Sequence, residues 1–256
     1  MSLTQYPDID ALLGELRDQH QALLGAKLAG LYLFGSLVWG DFDHRSSDID
    51  LLAALAADLD DRELAALGRM HAGFSAAHPH WRNRVEVAYV TQAALRTFRD
   101  QISTIAVISP GEPLHPKAAG RDWLMNWYMV REHGRALAGP PPDALIEPIS
   151  TAEFVQSIRE YAQAWAGRID GARDQPSQAY AILTLCRALY TVRHGQQASK
   201  LQAARWAAQE LPQWAGLIER ALEWRAAWRD QIVDAAAVFP ETRRFVLFVV
   251  ELIAGT

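Results

Sequence analysis

The sequence predicts two domains of different class: an α/β (α+β) domain built on a mixed sheet over residues 1–145, then an all-α helical bundle over residues 146–256. Three observations point to this. Short apolar runs that read as strands occur in the first half, and the second half offers no convincing strand. The run Gly139-Pro140-Pro141-Pro142, with Glu147-Pro148 close behind, cannot continue a helix and reads as a linker. Beyond it, Ala-rich segments open on pairs with capping-box spacing, Ser150 with Glu153 and Ser199 with Gln202.

The elements of the first half follow in order. Ile9, Leu12, Leu13, Leu16, His20, Leu23 and Leu24 recur at three- and four-residue steps after Pro7, so an amphipathic helix runs to about Gly25. Leu31 to Phe34 lies between Gly30 and Gly35 and is apolar on both faces, as a buried strand is. A second strand covers Ile49 to Ala53. Asp60 and Asp61 cap a helix through about Ala77, ended by His78-Pro79, and Arg84 to Val90 forms a third strand. Ser109 to Pro116, rich in Pro, Gly and His, reads as a loop before a helix from about Asp122 to His133. In the second half Gly171, Pro176, Gly195, Pro212 and Pro240 divide the chain into about five helices.

Composition narrows the function. A chain of 256 residues, 50% hydrophobic and 21% charged, is long enough for two cores and ordinary for a globular protein. The net charge of -5 and pI near 5.9 disfavour a long nucleic acid as partner and suit a small substrate, a cationic one included. The single Cys186 sits in an apolar run and reads as a small buried hydrophobe. No stretch reaches membrane-spanning length and no signal-peptide layout opens the chain, so a cytoplasmic protein without a membrane partner is expected. The eight histidines include no cluster at zinc-ligand spacing and read as surface residues.

The chemistry concentrates in Leu33-Phe34-Gly35-Ser36 and Ser47-Asp48-Ile49-Asp50-Leu51-Leu52. Asp48 and Asp50, two positions apart on a strand, point to one face, while Ile49 and Leu51 point to the core. Neighbouring carboxylates on an apolar strand repel each other and lose solvation, which a divalent cation offsets; oxygen-only ligands favour magnesium or manganese. Gly35 lets the chain turn without a Cβ in the way of a phosphate, and Ser36 offers a hydroxyl and an amide to the same group.

Gly35, Ser36, Asp48 and Asp50 resemble the signature of the DNA-polymerase-beta-like nucleotidyltransferases. That resemblance implies a nucleotidyltransferase domain in which Asp48 and Asp50 bind Mg2+ carrying the triphosphate. It makes Glu86, between Val85 and Val87, the third carboxylate of the metal set and the general base that takes the acceptor's proton. Leu183-Thr184-Leu185-Cys186-Arg187-Ala188-Leu189-Tyr190, Gly195, Ser199-Lys200, Ala203-Ala204-Arg205-Trp206-Ala207 and Arg131-Glu132-His133 look like the aminoglycoside adenylyltransferases that modify streptomycin and spectinomycin. This closer resemblance covers nearly the whole chain. It implies ATP as co-substrate and a hydroxyl-bearing small acceptor, handled by a monomer. It also implies a nucleotide site formed by Gly35, Ser36, Ser47, Arg187, Lys200 and Trp224. Two departures concern the acceptor. Ser177 stands where streptomycin-modifying members carry an acid ten positions before the arginine, and their Glu-Trp pair has no counterpart around Ser109 to Pro116. Glu153, Asp170 and Asp174 read as helix-end charges rather than replacements for that acid.

Two other readings remain open from sequence. The acceptor hydroxyl could belong to a protein, as in AMP-transferring toxins and antitoxins. Alternatively the chain is a silent nucleotide-binding or RNA-processing module, with Arg187 and His194 spaced as in certain helical ribonuclease domains. For His194, a cation at a helix C-terminus beside Gly195 is the simpler explanation.

Overall fold

The computed structural model describes residues 3–226 and 234–256, and the chain divides into two compact units: Met1–Phe42 with Ser47–Ile149, and Asp43–Ser46 with Ser150–Thr256.

The first unit opens with α1 (Pro7–Leu24), with proline in its first turn and Ile9, Leu13 and Leu16 buried. It continues through β1 (Leu28–Phe34), the one-turn α2 (Ser36–Trp39), β2 (Ile49–Leu55), α3 (Asp61–Ala77) and β3 (Val85–Thr91). Then come α4 (Gln92–Thr97), β4 (Ser103–Ser109), β5 (Glu112–Ala119), α5 (Leu124–His133) and β6 (Arg135–Ala138). The six strands form one mixed sheet in the order β5-β4-β3-β2-β1-β6, in which β2 and β3 run parallel and every other neighbouring pair runs antiparallel. A parallel pair needs a long crossover, and α3 supplies it. Its start is secured by a capping box in which Asp60 accepts the Glu63 amide and Glu63 accepts the Asp60 amide, both at 2.8 Å.

Side chains alternate across the sheet as the sequence requires. Leu31, Leu33, Ile49, Leu51, Val87 and Tyr89 join Ile9, Leu13 and Leu16 of α1 and Leu67 and Phe74 of α3 in a single core. Each fully buried aliphatic or aromatic side chain there contributes about 1.5–3 kcal/mol.

The structure corrects the sequence reading in several places. Ser109 to Pro116 is not a loop: it forms most of a hairpin between β4 and β5 that turns at Gly111, where φ is +82°. Pro113 and Pro116 are tolerated because β5 is the sheet edge, where a missing ladder donor costs little. The short β6, Arg-Ala-Leu-Ala, has no β-branched residue to announce it and is made by pairing with β1. The histidines are not all at the surface, since His20 and His71 are buried beneath the sheet with Tyr89.

Those three side chains form a directed chain of hydrogen bonds. His20 Nδ1, 2.6 Å from the Leu16 carbonyl, must carry the proton, which leaves Nε2 to accept the Tyr89 hydroxyl at 2.8 Å. The Tyr89 oxygen is then free to accept His71 Nε2–H at 2.6 Å. All three groups are thereby paired in their neutral forms. Burial lowers His20 and pushes His71 down to about 3, the latter helped by the neighbouring His20, while burial raises the Tyr89 hydroxyl.

The second unit contains α6 (Thr151–Gln163), α7 (Trp165–Arg168), α8 (Gln175–His194), α9 (Lys200–Glu210), α10 (Ala215–Ala226) and α11 (Ala235–Ala254), with no strand among the described residues. α8 is its central element, burying residues on all sides from Gln178 to Val192. Cys186 is fully buried there, and desolvation pushes its thiol up to about 12, so it packs as a small hydrophobe. The buried Gln178 accepts Thr242 Oγ1 at 2.7 Å and donates to the Arg173 and Ala235 carbonyls at 3.0 and 2.8 Å. Pro240, expected to separate helices, instead lies inside α11. Near the helix start it removes one intrahelical bond, and the apolar face formed by Phe245, Val246, Val249 and Ile253 carries the helix onward.

The lowered histidines make stability pH-dependent. Both are neutral when folded and bind protons more readily when unfolded, so their contribution is complete above the unfolded value of 6.5 and is lost as pH falls toward the folded value. We expect Tm to fall between pH 7 and pH 5, as stability drops by up to about 1.4 kcal/mol per pH unit for each histidine. Thermal melts across that range should show a shallower fall in His71→Gln. An equal fall in both proteins would remove this account.

Candidate active site

The register of the sheet gathers the three acids. Parallel pairing places Asp50 directly beside Glu86, antiparallel pairing places Phe34 opposite Asp50, and Asp48 stands two residues before Asp50 at the mouth of β2. Ile49 and Leu51 turn into the core and are fully buried, which obliges Asp48 and Asp50 to face the other side. Asp48, Asp50 and Glu86 are each half-buried, and one carboxylate oxygen from each lies within 4.8 Å of the others. Three carboxylates so close repel strongly, and an all-oxygen donor set of this size fits Mg2+ or Mn2+. The residues present therefore suit such an ion.

Gly35 explains how the chain passes this cluster. Its φ is +74°, and a Cβ at that position would overlap the Asp50 carboxylate, so both backbone and space exclude a larger residue. It caps α2, where Val38 and Trp39 donate to its carbonyl at 3.1 and 3.3 Å. Ser36, the next residue, has a buried hydroxyl without a hydrogen-bond partner among the described residues. A buried hydroxyl left this way lacks about 1–3 kcal/mol of compensation, which a ligand oxygen would restore. The ring of Trp39 at the end of α2 packs on His133 of α5, with centroids 4.3 Å apart.

Ser47 is 3% exposed, and its carbonyl is held by Arg84, a residue that periodicity could not single out because it stands just before β3. Its burial on the Trp81 ring, 4.5 Å from the centroid, is visible only in three dimensions.

In the helical unit, Lys200 is the first residue of α9 after the capping Ser199, and its ammonium lies 5.1 Å from the ring centroid of Tyr180 on α8. The Tyr180 hydroxyl is 3.3 Å from that of Tyr161 on α6. Lys200 thus stands beside an aromatic pair of which Tyr180, 46% exposed, is a member that the sequence reading missed. Trp224 is 3% exposed in α10 and packs in the core, leaving little ring surface for a ligand. The His194 ring packs against those of Tyr190 and Trp206, with centroids 4.4 and 5.1 Å apart. The acids near Ser177 are also structural: Asp174 caps α8 and accepts the Ser177 amide and hydroxyl, both at 2.8 Å. Asp170 pairs with Arg243 at 3.0 Å, and Glu153 closes the α6 capping box.

Comparison with known proteins adds independent findings. Residues 144–250 match the family model for the aminoglycoside adenylyltransferase C-terminal domain. The chain is 26% identical over 257 residues to an aminoglycoside (3'') (9) adenylyltransferase of Shigella flexneri, covering 94% of this chain and 95% of that protein. It is 27% identical to the protein of the same name from Klebsiella pneumoniae, covering 87% and 86% respectively. Among solved structures, the spectinomycin adenyltransferase AAD(9) from Enterococcus faecialis, crystallised with ATP and spectinomycin, shares the fold with a TM-score of 0.72. That match has 17% identity and covers 93% of this chain and 98% of the other.

The acid cluster has a measurable electrostatic signature. In chelator, Asp50→Asn should melt at or above the temperature of the unaltered protein, because one of three mutually repelling charges is gone. Adding Mg2+ should raise Tm in the unaltered protein and leave Asp50→Asn unmoved. Equal magnesium shifts in both would show that the cluster holds no cation.

Proposed function

Because this chain belongs to the aminoglycoside adenylyltransferase family and is a nucleotidyltransferase, we propose that it transfers AMP from ATP to a hydroxyl of a small aminoglycoside-like antibiotic in a magnesium-dependent reaction. The observation that carries the reading is the convergence of Asp48, Asp50 and Glu86 within 4.8 Å beside the Gly35-Ser36 turn. Magnesium, when bound, supplies Lewis-acid neutralisation of the triphosphate and of the departing pyrophosphate. Asp48 and Asp50 hold it, with Glu86 completing the set.

The protein's own groups perform the remaining tasks. Ser36 donates its otherwise unpartnered hydroxyl to a phosphate oxygen, and Gly35 keeps the approach clear of a side chain. Glu86 takes the proton of the attacking hydroxyl, whose oxygen bonds to the alpha phosphorus as the bond to pyrophosphate breaks. Arg187 of α8 and Lys200 of α9 contribute positive charge to the triphosphate. In this reading residues 1–145 carry the metal-holding acids, the base and Ser36, and residues 146–256 supply Arg187 and Lys200.

The acceptor is argued from what surrounds Ser177. With no acid at that position, and with Asp174, Asp170 and Glu153 committed to caps and ion pairs, spectinomycin fits better than streptomycin. Spectinomycin is also the molecule bound by the solved relative.

Pyrophosphate release with Mg-ATP should be stimulated strongly by spectinomycin and weakly by streptomycin. Label from ATP appearing instead in a protein band of a cell lysate would transfer the reading to a macromolecular acceptor. Asp48→Asn or Asp50→Asn should abolish transfer without altering the fold. Glu86→Gln should retain nucleotide binding and lose about 10²–10⁴-fold in turnover. Near-normal turnover in Glu86→Gln would remove its role as base.

A further inference from the structure

We propose that Arg84 is a positioning residue for Asp48: its buried guanidinium holds the Ser47 carbonyl and so fixes the peptide plane from which Asp48 departs. Arg84 is 6% exposed. Its Nε donates to the Ser47 oxygen at 3.0 Å, and Nη2 donates to the same oxygen. Nη1 donates to His80 Nε2 at 2.9 Å, and the guanidinium lies on the Trp81 ring. The carbonyl carbon of Ser47 is bonded to the nitrogen of Asp48, so two donors on this oxygen restrain rotation of the Ser47–Asp48 peptide. Next along the chain, the Ile49 amide donates to the Arg84 carbonyl at 2.8 Å, closing a second tie across the same strand ends.

The residue type is informative. Burying a guanidinium carries a large desolvation cost, and an apolar side chain on Trp81 would avoid it. What an apolar side chain cannot supply is a rigid fork of donors aimed at one carbonyl. Since Ser47 is itself 3% exposed, water has little access to take over that task. Groups that orient the ligands of a metal govern its affinity nearly as much as the ligands do. Arg84 acts in this way through a peptide bond.

The inference rests on the reading of Asp48 as a cation-binding acid, and its test separates the two. Mn2+ binding to the nucleotide-free protein is measured by the electron paramagnetic resonance of free Mn2+, alongside thermal melts. Arg84→Met should keep a cooperative unfolding transition and bind Mn2+ about 10–100-fold more weakly. In turnover, its requirement for Mg2+ should move to higher concentration, with part of the lost kcat restored when Mg2+ saturates. A change limited to packing would not move that requirement. Arg84→Lys, which keeps the buried charge and one donor, should fall between Arg84→Met and the unaltered protein. Should Arg84→Met fail to fold, Arg84→Lys decides: several-fold weaker Mn2+ binding supports the inference, and unaltered binding overturns it. Unaltered Mn2+ affinity in a folded Arg84→Met also overturns it while leaving the acid site standing. An unaltered protein that binds no Mn2+ overturns the site and the inference with it.

Discussion

The structure of the first unit turns on one electrostatic problem, the confinement of three carboxylates within 4.8 Å at the junction of β2 and β3. Like charges at this separation oppose folding. The fold accepts the arrangement because every alternative is closed. Ile49, Leu51 and Val87 are fully buried on the opposite face, and moving either strand by one residue would drive acids into the core and expose those side chains. Hydrophobic burial on one side thus holds charge together on the other. Such strain is characteristic of binding and catalytic sites, where a ligand of opposite charge relieves it.

The same strands carry a second polar cluster on the core side. Glu86 and Tyr89 belong to one strand and point to opposite faces, so β3 contributes both an acid of the site and the hydroxyl that links His20 to His71. The two clusters are handled differently. His20, Tyr89 and His71 satisfy one another as neutral groups, whereas three like charges converge at the acid cluster. The neutral network stabilises the frame, and the charged one presents an all-oxygen donor set that suits a cation.

The parts of this protein that were legible in its sequence are those where local chemistry and tertiary structure agree. α1, β1, β2, α3 and β3 all appear within a few residues of their expected bounds, because period, caps and breakers coincide there. Asp48, Asp50 and Glu86 were legible for the same reason: a charge inside an apolar strand conflicts with its surroundings and therefore shows. β5 and β6 were not, since edge pairing overrides the turn-like Pro and Gly content of one and the helix-prone composition of the other. Arg84 and Tyr180 were invisible because an arginine before a strand or a tyrosine on a helix is ordinary until its neighbours are known. Trp224 shows the converse, where a position suggested by family likeness turned out to be packed away.

The α3 crossover has an implication for how the molecule comes into being. Asp50 and Glu86 lie on neighbouring parallel strands joined through the α3 crossover, so the acids are brought together over a long stretch of chain. A nascent or partly melted polypeptide has the same three acids without their convergence. The convergence of the three carboxylates therefore arrives together with the finished sheet.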